Sequence, residues 1–140
     1  MVAGRFLGEF QHSLDTKGRV ILPARFRQVL GERAVLTTQD DGCLAIWTPD
    51  EFDKKADEMK ERERTGQEGR NVARAFFADA LEFELTGQGR VNIPAHLIEY
   101  AGLSQNVSVN GMYDHVEIWD AARWQETKQA GSSELATGEG

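Results

Sequence analysis

The chain has 140 residues, 40% of them hydrophobic and 28% charged, a composition that suits one globular domain or two very small ones. Its apolar runs, such as Val20-Ile21-Leu22, fall far short of the roughly 20 residues a bilayer span needs, and its first ten residues lack the apolar stretch of a secretion signal, so a cytoplasmic protein is expected. A formal charge of -7 excludes a uniformly basic nucleic-acid binder, yet residues 1–33 hold six Lys or Arg against three Asp or Glu, and a phosphate surface needs positive potential only locally.

In chain order, Phe10, His12 and Leu14 alternate with more polar neighbours, which predicts a half-buried strand with His12 on its inward side. Gly18 suits a tight turn that needs positive φ, and Val20-Ile21 restart extended chain, predicting a hairpin with Lys17 near its tip. Pro23 fits the first position of a short helix that Gly31 ends. Val35 to Thr38 and Leu44 to Trp47, separated by Gln39-Asp40-Asp41-Gly42, read as a second hairpin. Thr48-Pro49-Asp50-Glu51 is a capping box, and Phe52, Ala56 and Met59 then recur at helical steps on a segment whose other face is charged. The Thr65 to Gly69 stretch breaks that helix, and a second run from Asn71 to Ala80 sets Val72 and Phe76 on one side. A strand at Leu81, Phe83 and Leu85, a turn at Gly89 with Gln88 at its tip, a helix from Pro94 to Gly102 and a hairpin from Val107 to Asn110 and Val116 to Trp119 follow. The segment from Ala130 to Gly140 has few apolar side chains to offset its ordering entropy and is expected to be disordered.

The two series are one series repeated. Asp15-Thr16-Lys17-Gly18-Arg19-Val20-Ile21-Leu22-Pro23-Ala24 returns 71 residues later as Thr86-Gly87-Gln88-Gly89-Arg90-Val91-Asn92-Ile93-Pro94-Ala95. After one extra residue in the second copy, Val35 and Thr37 align with Val107 and Val109, Ile46-Trp47 with Ile118-Trp119, and Phe52 with Trp124. The chain therefore divides into a first module (1–52), a helical insert (53–75), a second module (76–124) and a C-terminal extension (125–140), and each module reads as β-β-α-β-β.

The paired Gly-Arg-Val-x-x-Pro-Ala motif, with Asp15-Thr16-Lys17 before it in the first copy and Glu99-Tyr100-Ala101-Gly102-Leu103 after it in the second, resembles the signature of the MraZ family. The likeness extends over the insert and the Val116-Glu117-Ile118-Trp119 strand. It implies an α+β, mainly β fold of two AbrB-like swapped-hairpin modules related by a pseudo-twofold, with short helices and a helical insert. It further implies a homo-oligomeric ring of several chains, associated with the nucleoid, that binds double-stranded DNA at promoter repeats. The genes implied are those of the cell-division and cell-wall operon, regulated by an autoregulatory repressor. In the second copy Thr86 stands where the family has Asp, so the ion pair open to Asp15 and Arg19 is closed to Arg90, and the Thr86 hydroxyl is left to bond the turn backbone.

Arg19 is the leading DNA-binding candidate. A guanidinium at a rigid turn either fixes that turn by pairing with Asp15 or reaches guanine O6 and N7 or a phosphate. With the resemblance, Lys17, Arg19 and Arg90 are assigned to DNA, and Asp15, Gly18, Thr86 and Gly89 to orienting the turns. Arg25, Arg27 and Arg33 read as solvated charges beside the motif, auxiliary at most. An enzyme has no support in the motifs: His12, His96 and His115 fall in no metal-ligand spacing, the lone Cys43 reads as a packing residue, and no phosphate-cradling glycine loop or nucleophile elbow is present. No cofactor is expected. The alternative from another class is a ring-shaped scaffold that controls a partner enzyme through the charged helix from Asp50 to Arg64 and the tail, without DNA contact.

Overall fold

The computed structural model describes residues 5–138. The first repeat supplies β1 (Glu9–Ser13), β2 (Arg19–Ile21), α1 (Ala24–Leu30), β3 (Arg33–Gln39) and β4 (Cys43–Trp47). The second supplies β5 (Leu81–Glu84), β6 (Arg90–Asn92), α4 (Ala95–Ala101), β7 (Asn106–Gly111) and β8 (Val116–Asp120). Between them run α2 (Pro49–Glu63) and α3 (Gln67–Asp79), and α5 (Ala121–Thr137) follows β8. The punctuation acts as its chemistry requires. Thr48 Oγ1 accepts the Glu51 N–H at 3.2 Å ahead of Pro49 at the start of α2, and Gly66 separates α2 from α3. Pro23 and Pro94 occupy the N-cap positions of α1 and α4, one residue earlier than their sequence places them, and Gly31 and Gly102 end these helices with φ of 76° and 60°.

The strand partners differ from the local reading. β1 and β2 are joined by a tight turn but do not pair with each other; β1 lies antiparallel on β7, β5 lies on β3, and β2 pairs with β6. Each repeat therefore completes the other. The result is a six-stranded sheet in the order β1-β7-β8-β4-β3-β5 and a separate two-stranded ribbon of β2 and β6. Its symmetry is visible in the register, where Val20 faces Val91 in the ribbon and Ala45 faces Glu117 at the sheet centre, each pair standing on the pseudo-twofold axis.

That register also corrects the alignment of the last two strands. Leu36 faces Ile46 and Val109 faces Ile118, so the structural equivalents are Ala34 with Val107 and Leu36 with Val109, not Val35 with Val107. The second copy carries two extra residues before its hairpin and one fewer within it. Because side-chain direction reverses at each step of a strand, the shift is what keeps Leu36 and Val109, both fully buried, on the same face.

The core lies between that face and the layer formed by α1, α4 and the ribbon. Phe26 and Leu97, at matching places on the two short helices, and Val20 and Val91, on the ribbon's inner side, are all buried among Phe6, Leu36, Leu44 and Ile118. Burial of each such side chain is worth about 1.5–3 kcal/mol, so the ribbon's short strands are held from beneath by its two valines. On the opposite face, α2 and α3 lie on β3 and β4 and α5 on β7 and β8.

The disorder expected from Ala130 to Gly140 is corrected for residues 130–137, which continue helix α5; Glu139 and Gly140 lie outside the described residues. Arg123 anchors the start of α5 by donating to the carbonyls of Gly42 (2.9 Å) and Asp41 (2.6 Å), with its guanidinium 5.2 Å over the Trp119 ring. Lys128 bonds Glu9 on β1. The residues beyond carry Ala130, Leu135 and Ala136 among other helix formers, and they extend the helix with every side chain exposed. Local apolar content missed this helix because its anchor is an arginine.

Candidate nucleic-acid interface

The first turn is organised by one carboxylate. Asp15 Oδ1 accepts the backbone N–H groups of Lys17 and Arg19, each at 2.9 Å, and Oδ2 accepts the Arg19 Nε–H at 2.8 Å. The Gly18 N–H closes the turn on the Asp15 carbonyl at 3.0 Å, with Gly18 at φ 78°. The backbone bond from Arg19, ahead of that residue's side-chain bond, holds the Asp15 carboxyl below its ordinary pKa. Asp15 thus fixes Arg19 through its Nε, while the other guanidinium donors make no hydrogen bond among the described residues.

The second turn is built differently. Gly89, at φ 69°, donates its N–H to the Thr86 carbonyl at 2.9 Å, and the Arg90 guanidinium donates to the Gln88 side-chain oxygen. The Thr86 side chain, expected to bond the turn backbone, makes no hydrogen bond among the described residues. Support comes instead from the other repeat. Arg27 on α1 donates to the Gly87 carbonyl at 3.3 Å and packs over Gly89, where a β-carbon would come within 1.9 Å of the Arg27 Cδ. The pseudo-twofold mate of Arg27 is Ile98 on α4, whose Cδ1 lies 3.3 Å from the β-carbon position of Gly18. Each short helix therefore covers the turn of the opposite repeat. The Gly18 carbonyl accepts the Ile93 N–H at 2.8 Å, and the Gly89 carbonyl accepts the Leu22 N–H at 2.9 Å.

This arrangement brings the sequence-predicted residues to one surface. Arg19 pairs across the ribbon with Asn92, and Ile21 with Arg90, so all four project from the outer face while Val20 and Val91 point inward. Arg19 and Arg90 are diagonal neighbours lining one groove with His12, Ser13, Asp15, Ile21 and Gln88. Lys17 is exposed on the first turn, outside that groove's lining. His12, half-buried beneath the groove, has its pKa lowered by burial. Arg27 corrects the sequence reading: it is a structural contact of the second turn, its Nε buried and without a partner among the described residues. Arg25 is exposed on α1, and Arg33 lies 3.7 Å from Glu84 with both side chains exposed. Ile21 and Asn92 escaped the sequence reading as site residues, although the two-residue period of Arg19-Val20-Ile21 and Arg90-Val91-Asn92 carries the signal.

The remaining chemistry-bearing groups lie elsewhere. His96 faces Asp79 at 3.4 Å on the surface. Cys43 is buried, and burial, reinforced by Glu117 and Asp41, pushes its thiol far above the ordinary range. His115 is buried against the Trp47 ring, with Nδ1 2.6 Å from Asp114 and Nε2 3.0 Å from Glu117. Among the described residues no three His, Cys, Asp or Glu side chains group to hold a metal ion, and no helix is long and apolar enough to cross a membrane.

Against known families, the chain matches the family model described as "MraZ protein, putative antitoxin-like" twice, over residues 5–75 and again over 76–138. The two matches divide the chain as the internal repeat does, with the insert in the first and α5 in the second.

Proposed function

The chain belongs to the MraZ family, and on that premise we propose that it is a transcription regulator that binds double-stranded DNA through the β2–β6 ribbon. One observation carries the reading: a two-stranded ribbon, fixed from beneath by Val20 and Val91, presents Arg19 and Arg90 diagonally across its outer face. The major groove of B-DNA admits a two-stranded β-ribbon, and a guanidinium bonded bidentately to guanine O6 and N7 is the commonest specific contact there. Lys17, beside them on the exposed turn, serves as a phosphate contact.

The acidic whole-chain charge is overcome by number and placement. In this reading several copies form a ring, and the first ribbon to bind makes the next contacts intramolecular. Avidity then gains ~10²- to 10⁴-fold without new chemistry. Direct repeats in a promoter are the matching target. By the family likeness the promoter is that of the cell-division and cell-wall operon, and the protein represses its own transcription there, at the nucleoid.

Fluorescence anisotropy with a duplex from the chain's own upstream region tests the reading. The association constant should fall linearly with salt on logarithmic axes, with a slope of about -0.9 per neutralised phosphate. It should also exceed that for a shuffled duplex at every salt concentration. Equal affinity for both duplexes would remove sequence-specific regulation from the account.

A further inference from the structure

The pseudo-twofold makes the ribbon's two arginines equivalent but leaves its other two outward residues different. Val20 and Val91 share the axis, Arg19 maps onto Arg90, and Ile21 maps onto Asn92. Exposure of both is unforced by packing. Ile21 is 49% exposed, in a position where its apolar surface gains nothing from the core, and Asn92 is exposed with no side-chain hydrogen bond among the described residues. The cross-strand pairs are Arg19 with Asn92 at one end of the face and Ile21 with Arg90 at the other. Residues two apart on a strand stand about 7 Å from each other, close to two base-pair steps of 3.4 Å, so the two ends of this face meet different base pairs.

We infer that Ile21 and Asn92 give the ribbon a reading direction, with Asn92 taking an adenine edge beside one guanine contact and Ile21 a thymine methyl beside the other. The inference rests on the DNA-binding function proposed above. Its chemistry is that of the two side chains: a carboxamide pairs bidentately with adenine N6 and N7, whereas a branched hydrocarbon satisfies no base polar group and packs only on the C5 methyl of thymine. Two identical halves would read a palindrome. With Ile21 and Asn92 exchanged across the axis, the preferred element is polar, and repeats of a polar element arranged head to tail present the same sense to successive copies of the chain.

Selection of full-length protein against a randomised duplex pool, followed by anisotropy on the enriched sequence, tests this. Wild type should enrich an asymmetric element. Asn92→Ile should lose about tenfold in adenine preference at one position with the guanine positions retained, and Ile21→Asn should replace thymine with adenine preference at the symmetry-related position. Both sites are exposed, so circular dichroism and light scattering of the variants should match wild type. A palindromic wild-type element, or variants that enrich the wild-type element with wild-type affinity, would overturn the directional reading while leaving DNA binding intact. Failure of the wild type to bind or enrich any duplex would overturn the DNA reading itself, and this inference with it.

Discussion

Arg27 of the first repeat lies over Gly89 of the second, so close that a β-carbon on Gly89 would meet its Cδ at 1.9 Å. The mate of this contact is Ile98 over Gly18, where the added carbon would also meet the Ile93 carbonyl oxygen at 2.9 Å. Both glycines hold positive φ, which costs an L-residue about 1–2 kcal/mol before any clash. Gly18→Ala should therefore lose about 2–3 kcal/mol in urea unfolding and Gly89→Ala about 1–2, because a backbone carbonyl cannot move aside as the Arg27 side chain can.

Thr86→Asp should stabilise the second turn. An aspartate there has the place of Asp15, which accepts two backbone N–H groups and aims Arg19. The expected gain is about 0.5–1 kcal/mol at neutral pH. A carboxyl held below its unfolded pKa stabilises above that unfolded value and loses the effect as pH falls through the folded one, so the gain should disappear in acid. Denaturant midpoints of wild type and variant from pH 7 down to pH 2 make the comparison; a gain that does not shrink over that range would show that the turn does not use the carboxylate.

His115 should make stability depend on pH near neutrality. Burial by itself lowers the pKa of its imidazole, but hydrogen bonds to Glu117 and Asp114 outweigh it and leave the value raised. The charges from neighbouring elements beside it are Glu51, Lys54, Lys55 and Glu58 on α2. A raised folded pKa contributes stability in full below the unfolded value of about 6.5, lost as pH climbs through the folded one. His115→Gln should cost about 1–3 kcal/mol at pH 6 and distinctly less at pH 9. A cost independent of pH would assign His115 to packing on Trp47 alone.

How far the sequence foretells this molecule depends on range. The repeat, the β3–β4 and β7–β8 hairpins and the breaks at Gly31, Gly66 and Gly102 are legible because glycine, proline and side-chain period act over a few residues. Strand partnership is not local: the alternation in Phe10, His12 and Leu14 records a half-buried strand but says nothing of β7, whose Val109 and Val107 face Phe10 and His12. Arg27 reads like any surface arginine because its contact with Gly87 depends on α1 crossing to the opposite turn, and residues 130–137 read as disordered because the anchor of their helix, Arg123, lies upstream of them. At the candidate interface, Arg19 and Asp15 are legible from their spacing in one turn, whereas the company of Arg90, Ile21 and Asn92 follows from β2 pairing with β6.

The central claim is most directly tested by anisotropy of the Arg19→Ala, Arg90→Ala and doubly substituted proteins on a duplex from the upstream region, with molecular mass followed by light scattering. Each single change should weaken binding about tenfold or more, and the double change should abolish the preference over shuffled DNA, at unchanged mass. A doubly substituted protein that binds the duplex as tightly and selectively as wild type would contradict the ribbon as the DNA-reading surface.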